Sequence, residues 1–406
     1  MLTGFHISTT IFASGFATLC FIFVTKGKIP LYYGSSFSYI AAVVAVVGAE
    51  WGGVRVAQVG IEATAFVSII AGLLIRWVGK EAIDKVLPPI VTGSVALVIG
   101  IALAKAALDM AAVNWGVAIL TLVVTILFSV YLRGLGLLGM VPVLLGAVFG
   151  YLLSWALGIV DFSAVHSAAW FSVPKFSLPD FGNPNALKAV LAIAPIAIAT
   201  IPESTAHLYQ ISLYIDRVAE DLGRPALKIS RLIGLNLILD GIGDGINGLL
   251  GGCAGTNYGE NNSLMAITRN YSVPVLMAAG VIAILLGFVG KLAGLVNTIP
   301  TAVTGGLSIY LFGVIGMQGV ALIQSERVNL FEPRQLAVGS IILIAGIGGN
   351  LALKDGLFPF QIPVIFPNGI PAIVFAALVG ILLNLVFLAV PPSRFGVKER
   401  ENINYE

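Results

Sequence analysis

Apolar runs of about 20 residues, separated by short polar breaks, recur from one end of this 406-residue chain to the other. A helix of that length crosses a hydrocarbon core roughly 30 Å thick, and lipid leaves a backbone few other ways to satisfy its polar groups. Only 10% of the residues are charged and 58% are apolar, against about 25% charged in soluble domains. The mean hydropathy is +0.99. A net charge of +2 gives no footprint for nucleic acid. Cys20 and Cys253 sit in apolar surroundings and imply no disulfide framework. The first 25 residues lack a basic leader and their apolar run is span-length, so they read as a span rather than a cleaved signal. The fold class expected is an all-α, polytopic membrane protein.

Thirteen spans are expected, near 4–25, 35–49, 56–78, 88–108, 115–132, 137–158, 187–210, 233–251, 254–269, 273–290, 300–322, 335–352 and 370–391. The segments 35–49 and 254–269 are short and open with polar or glycine-rich stretches. Each therefore reads as a half-helix with an extended lead-in, the form that discontinuous spans take at a binding site. With the C-terminus inside, 16 Lys and Arg lie on the cytoplasmic side and 6 outside. That bias orients the chain N-out and C-in.

Two carboxylates stand inside this apolar sequence within short polar motifs: Glu203 in Ile201-Pro-Glu-Ser-Thr-Ala-His207, and Glu260 in Asn257-Tyr-Gly-Glu-Asn-Asn-Ser263. A charge at the bilayer centre costs about 2.5–3.5 kcal/mol on insertion scales, so such residues usually mark a path for a polar solute or ion. The alternative is a structural role at a helix N-terminus. Glu203 and His207 are one turn apart, share a helix face and can exchange a hydrogen bond. A histidine titrates near neutral pH, which makes this pair the expected place to couple a proton. Pro202 is expected to kink its helix. Asp240 and Asp244 are also one turn apart, in a glycine-rich run. They read as hydrogen-bonding groups of a tight helix contact, the other reading being a cation or proton relay. Glu62 is a lone acid, expected to be paired or near water. No metal cluster, cofactor motif or nucleotide-binding loop is expected. The stretch Asp216 to Arg231 reads as a solvated connection, and 159–186 as a semi-apolar external loop.

The chain also repeats itself. Leu73 to Lys80, followed by Pro88 to Gly93, echoes Ile284 to Lys291, followed by Pro300 to Gly305. Tyr33-Gly-Ser-Ser36 echoes Tyr258-Gly-Glu-Asn261. In the expected topology Lys80 and Lys291 lie on opposite sides, so the halves are inverted, a recurring plan of secondary transporters.

Gly27 to Phe37, Glu203 to His207 and Tyr258 to Arg269 together resemble the bacterial uracil permease branch of the nucleobase–ascorbate transporter family, over almost the whole chain. The resemblance implies fourteen spans in two inverted repeats of seven, with a short antiparallel strand in each of two broken spans. On this division, 1–158 and 187–391 are the repeats. The core domain is 1–78 with 187–290, the gate domain 79–158 with 291–391, and 392–406 a cytoplasmic tail. It further implies a proton-coupled symporter in the cell (inner) membrane, not an enzyme, with uracil or a related base such as xanthine as solute. It implies a homodimer through the gate domain. Carried across by position, Phe37, Glu203, Tyr258, Gly259 and Glu260 are the implied solute contacts. Glu203 and His207 are the implied coupling pair, with Ser35, Ser36, Asn261, Asp240 and Asp244 as secondary candidates. Glutamate at 260 favours uracil over xanthine. Ser263 stands where the family has glycine. A purine or xanthine carrier, and a sulfate-type anion exchanger, share the fold; two carboxylates disfavour an anionic solute. Two spans precede the second Tyr-Gly motif but only one the first. Symmetry and resemblance both lead to the expectation that the family's first span is missing here, through a start upstream or a genuine loss, and a truncated, non-transporting chain is the reading from another class.

Overall fold

The computed structural model describes residues 3–79, 84–132, 135, 138–362 and 369–391. Lys80 of the repeat motif and the tail 392–406 lie outside them. The elements in chain order begin with α1 (Ile7–Thr25), β1 (Tyr33–Ser35), α2 (Ile40–Val47) and α3 (Val54–Val78). Next come α4 (Pro89–Ala102), α5 (Ala104–Ala112), α6 (Trp115–Tyr131), α7 (Pro142–Ala156) and α8 (Ser163–Ser167). The second half holds α9 (Ala186–Ile193), α10 (Ile196–Asp221), α11 (Ile233–Leu250), β2 (Gly255–Asn257), α12 (Gly259–Thr268), α13 (Val273–Gly287) and α14 (Gly290–Asn297). It ends with α15 (Thr301–Ser325), α16 (Pro333–Leu343), α17 (Gly349–Ala352), β3 (Leu357–Phe358), β4 (Ile370–Pro371) and α18 (Ala372–Ala389).

Among the described residues, seven helical stretches are long and apolar enough to cross a bilayer, and three shorter apolar helices accompany them. Every expected span coincides with helical structure, and the two expected broken spans are each a three-residue strand followed by a half-helix. Two boundaries differ from expectation. The span placed at 187–210 is two helices parted by a turn at Ala194–Pro195, and α10 runs on to Asp221, taking in the start of the stretch read as a connection. Pro202 sits inside α10. The pairing of β3 with β4 was not expected; it precedes α18 and holds Phe358 against Phe375, ring centroids 4.1 Å apart.

Small residues set the packing. In lipid, helices associate through close backbone approach rather than a hydrophobic drive. A Cβ on Gly72 of α3 would stand 2.6 Å from the Gly234 carbonyl oxygen of α11, and one on Gly93 of α4 would stand 2.7 Å from that of Gly319 on α15. Two groups result. α1, α3, α9, α11 and α13 pack around the strand pair; α4, α5, α6 and α7 pack against α15, with α16 and α18 on α4. α10 lies between, touching α11, β2 and α12 on one side and α4 and α18 on the other. The loop after α7 lies along one end of the first group: Ser172 N donates to Phe288 O and Ser177 N to Leu250 O.

Candidate functional site

The site grows from the strand pair. β1 and β2 are antiparallel, with Tyr33 opposite Asn257, Gly34 opposite Thr256 and Ser35 opposite Gly255. Their remaining backbone groups need partners in a place without water. Thr18 of α1 supplies one set: its Oγ1 accepts from Tyr33 N at 3.1 Å and donates to Tyr33 O at 3.2 Å. Asp244 of α11 supplies another, accepting from Gly255 N at 2.7 Å, Tyr33 Oη at 2.7 Å and Thr64 Oγ1 at 3.0 Å. Asp244 thus ties α3, α11 and both strands together. Each strand runs directly into a helical start, at Phe37 and at Gly259, and in the first of these Ser38 N donates to Ser36 Oγ at 3.2 Å.

α10 brings Glu203 and His207 against this frame. Glu203 is 8% exposed, and its carboxylate accepts from Ser38 Oγ at 2.8 Å and from Ser36 Oγ at 3.4 Å. The sequence allowed a Glu203–His207 hydrogen bond, but the ring turns elsewhere. His207 Nδ1 lies 2.8 Å from Asn257 O and 3.0 Å from Asn257 Oδ1. A carbonyl oxygen can only accept, so Nδ1 carries the proton in that bond. Nε2 is directed to Gly259: a Cβ there would stand 2.5 Å from it.

Asn257 joins His207 to a buried polar cluster. Its Nδ2 donates to Ser204 Oγ at 3.0 Å and Asn236 Oδ1 at 3.1 Å, while Asn236 Nδ2 donates to Ser204 Oγ at 2.8 Å. Ser204 donates in turn to Asp240 Oδ2. Asp240 Oδ1 and Glu62 Oε1 are buried without a hydrogen-bond partner among the described residues. Glu62 packs instead against Gly248 of α11.

A cavity of about 120 Å³ opens beside these groups, between α10, α4 and α15. Glu203 and His207 line it from one side, Ala96 and Ile99 from α4, and Ile315, Gln318 and Leu322 from α15. Tyr209, which donates to Asp84 Oδ1 just before α4, lies on the wall towards Ser325 and Glu326. A second, open hollow of about 580 Å³ adjoins it between α6, α10 and α15 and shares Gln210, Tyr214, Gln318 and Ala321.

Of the residues singled out from sequence, Glu203, His207, Gly259, Tyr258, Ser35 and Ser36 are brought together around the strand ends. Ser35 Oγ lies 3.4 Å from Tyr258 Oη, and the Tyr258 ring stacks on Tyr32 with centroids 6.2 Å apart. Asn261 is half-buried in the first turn of α12. The backbones of Phe37 and Glu260 begin the two helical starts, while their side chains, and that of Ser263, lie outside the described residues. Asp240 and Asp244 lie behind the site, in the α11 seam.

Sequence reasoning missed Ser38, Asn257 and Gln318. Ser38 follows the quoted motif by two positions, and Asn257 directly precedes Tyr258. Gln318 stands in an apolar run from 311 to 323, where a lone amide is itself a signal.

The Permease family model Xan_ur_permease matches residues 2–354. The uracil permease of Bacillus caldolyticus is 39% identical, over 97% of this chain and 88% of its own length. That of Escherichia coli (strain K12) is 34% identical, over 94% of this chain and 86% of its own. A solved structure of SLC26A9 shares the fold at 10% identity, with a TM-score of 0.61 over 95% of this chain and 61% of that one. With a family match across most of its length, and relatives above 30% identity along nearly all of it, the chain belongs to the Xan_ur_permease family of membrane permeases.

Proposed function

We propose that this protein is a proton-coupled symporter that imports uracil, or a close single-ring relative, across the cell membrane. The observation that carries the reading is Glu203: a buried carboxylate, oriented by Ser38 and Ser36, on the wall of a small cavity between two helix groups. Uracil presents N–H donors alternating with C=O acceptors. A carboxylate accepts from N–H groups, and a protonated carboxyl also donates to a carbonyl. The relatives named uracil permease support the solute class. So does size, since about 120 Å³ lies well below the ~300–1,000 Å³ of drug-sized pockets and suits one ring better than a fused purine.

In this reading Gly259 and Tyr258 contribute backbone and ring at the head of α12, with Glu260 and Phe37 completing the grip. The core domain, 1–78 with 187–290, rocks against the gate domain, 79–158 with 291–391, around the strand pair. In this reading the end bearing Asp221 and Ser325, and the C-terminus, face the cytoplasm, which the excess of Lys and Arg there supports. The cavity then opens inwards. Glu203 takes up a proton with the solute, and His207, fixed by Asn257, presents Nε2 to the same place.

Purified protein in proteoliposomes, given labelled uracil and an imposed pH gradient, tests this. Uptake should exceed equilibrium when the outside is acid and collapse with a protonophore, and Glu203→Gln should flatten its pH dependence. Uptake indifferent to the gradient would refute coupling. An unaltered chain that takes up xanthine but not uracil would refute the assigned solute.

A further inference from the structure

Glu203, Ala206, His207, Gln210 and Tyr214 follow one another along α10 at spacings of three, one, three and four residues, and all of them line the cavity. They make up one helix face. At 1.5 Å per residue, Glu203 and Tyr214 stand about 16 Å apart along the axis, further than one pyrimidine ring reaches. A solute held at Glu203 therefore leaves the rest of this face uncovered. Gln210 and Tyr214 also line the larger hollow between α6, α10 and α15, so they stand where the two volumes meet. Gln210 Nε2 donates to Tyr214 Oη at 3.1 Å. That bond joins the two side chains and leaves the amide oxygen, one amide N–H and the phenol O–H for a further partner. Residues one turn apart can pair for helix stability alone; the place of this pair, at the junction of two volumes, sets it apart.

We infer that Gln210 and Tyr214 form a second, weaker solute site, a waypoint between Glu203 and the end of the cavity at Ser325 and Glu326. It rests on the nucleobase reading above and extends it from one position to a route. The ligand class is the same, a small planar heterocycle with N–H and C=O groups. The amide oxygen accepts from a ring N–H, the amide N–H donates to a carbonyl, and the phenol supplies a stacking face. Either orientation of the amide serves, so the waypoint does not select among bases. Both side chains are neutral, whereas hydrogen bonds to a carboxylate are roughly twice as strong as neutral ones. The solute is thus held more loosely here than at Glu203. Passage requires this, because each stop must draw the solute in and still let it leave.

Thiol labelling tests the waypoint. Ala321 of α15 lines the same two volumes, so Ala321→Cys, in a full-length chain lacking Cys20 and Cys253, reports occupancy there. With Glu203→Ala added to empty the first site, millimolar uracil should still slow labelling about fivefold. Gln210→Leu should then abolish that protection. A second measurement needs no change at Glu203. Gln210→Leu alone should keep uracil affinity within about twofold while counterflow in proteoliposomes slows about tenfold per binding-competent protein. If the pair only packs, that rate stays unchanged and the inference falls. Protection that vanishes with Glu203→Ala, or that survives Gln210→Leu, also overturns it while the nucleobase reading stands. An unaltered chain that binds no base would refute that reading and the waypoint together.

Discussion

Gly259→Ala probes the geometry of the site with one methyl group. Its Cβ would stand 2.5 Å from His207 Nε2, 2.7 Å from His207 Cδ2 and 2.9 Å from Gln318 Oε1. Gln318 Oε1 is the far end of a flexible side chain and can move aside. The histidine cannot retreat behind itself, because Nδ1 is held at 2.8 Å by the Asn257 carbonyl. The ring must therefore swing towards the cavity, giving up a hydrogen bond of about 1 kcal/mol and taking roughly 1–3 kcal/mol of overpacking. A solute entering the cavity has to push the ring back, so the strain is charged to binding. At about 1.4 kcal/mol per tenfold, a total of roughly 2–4 kcal/mol weakens uracil roughly 30- to 700-fold. Titration calorimetry on the detergent-purified protein reads this directly, with thermal melting as a check that the fold persists. His207→Ala in the Gly259→Ala background vacates the space, so the double variant should bind better than Gly259→Ala alone. Equal affinity in Gly259→Ala and the parent, or a double variant weaker than both singles, would refute the reasoning.

Three further outcomes follow from the same contacts. Ser38→Ala removes a 2.8 Å bond to a buried carboxylate, so uracil affinity should drop by about 1.5–3 kcal/mol if the carboxylate is charged. Ser36→Ala, at 3.4 Å, should cost far less, and equal effects would discredit the ranking. Asn257→Leu strips partners from Ser204, Asn236 and His207 at once. It should lower the melting temperature more than Asn270→Ala on the exposed loop, and an unchanged melt would count against the cluster. Tyr209→Phe deletes the bond to Asp84 that bridges α10 and the segment before α4. It should leave uracil affinity intact while lowering thiol labelling of Ser325→Cys several-fold in a background lacking Cys20 and Cys253; unaltered labelling would show that this bond does not hold the cavity open.

The spans were legible because lipid imposes length and composition on every one of them, and no other solvent writes so plain a pattern. The broken spans were legible for the opposite reason: glycine and hydroxyl residues interrupt apolar runs at 33–36 and 255–259. The internal echo was legible only in part. Tyr33-Gly34 matches Tyr258-Gly259 by identity, yet Tyr33 lies inside β1 whereas Tyr258 follows β2. The strands end at Ser35 and Asn257, so the equivalent positions are three residues further along, with Phe37 matching Gly259 and Ser38 matching Glu260. A two-residue identity could not outweigh backbone register, which the strand pairing alone defines. Asn257 and Gln318 were hidden differently. Each acts on groups dozens of residues away in sequence, Asn257 on Ser204 and His207, and Gln318 beside Gly259. No local spacing encodes such a meeting.

The corrected register explains why the two halves differ where they meet. Each half sends a strand into a helical start, at Phe37 and at Gly259. The side chains one residue into each helix are not alike: Glu260 in one half, Ser38 in the other. The serine at 38 acts on the other carboxylate, its hydroxyl donating to Glu203 at 2.8 Å. One half therefore supplies the donor that orients the carboxylate, and the other keeps an acid at the matching place. The asymmetry lies in the side chains, while the two strands pair evenly about Gly34 and Thr256; on the proposed function, an unsymmetrical ring would meet unlike groups from the two halves.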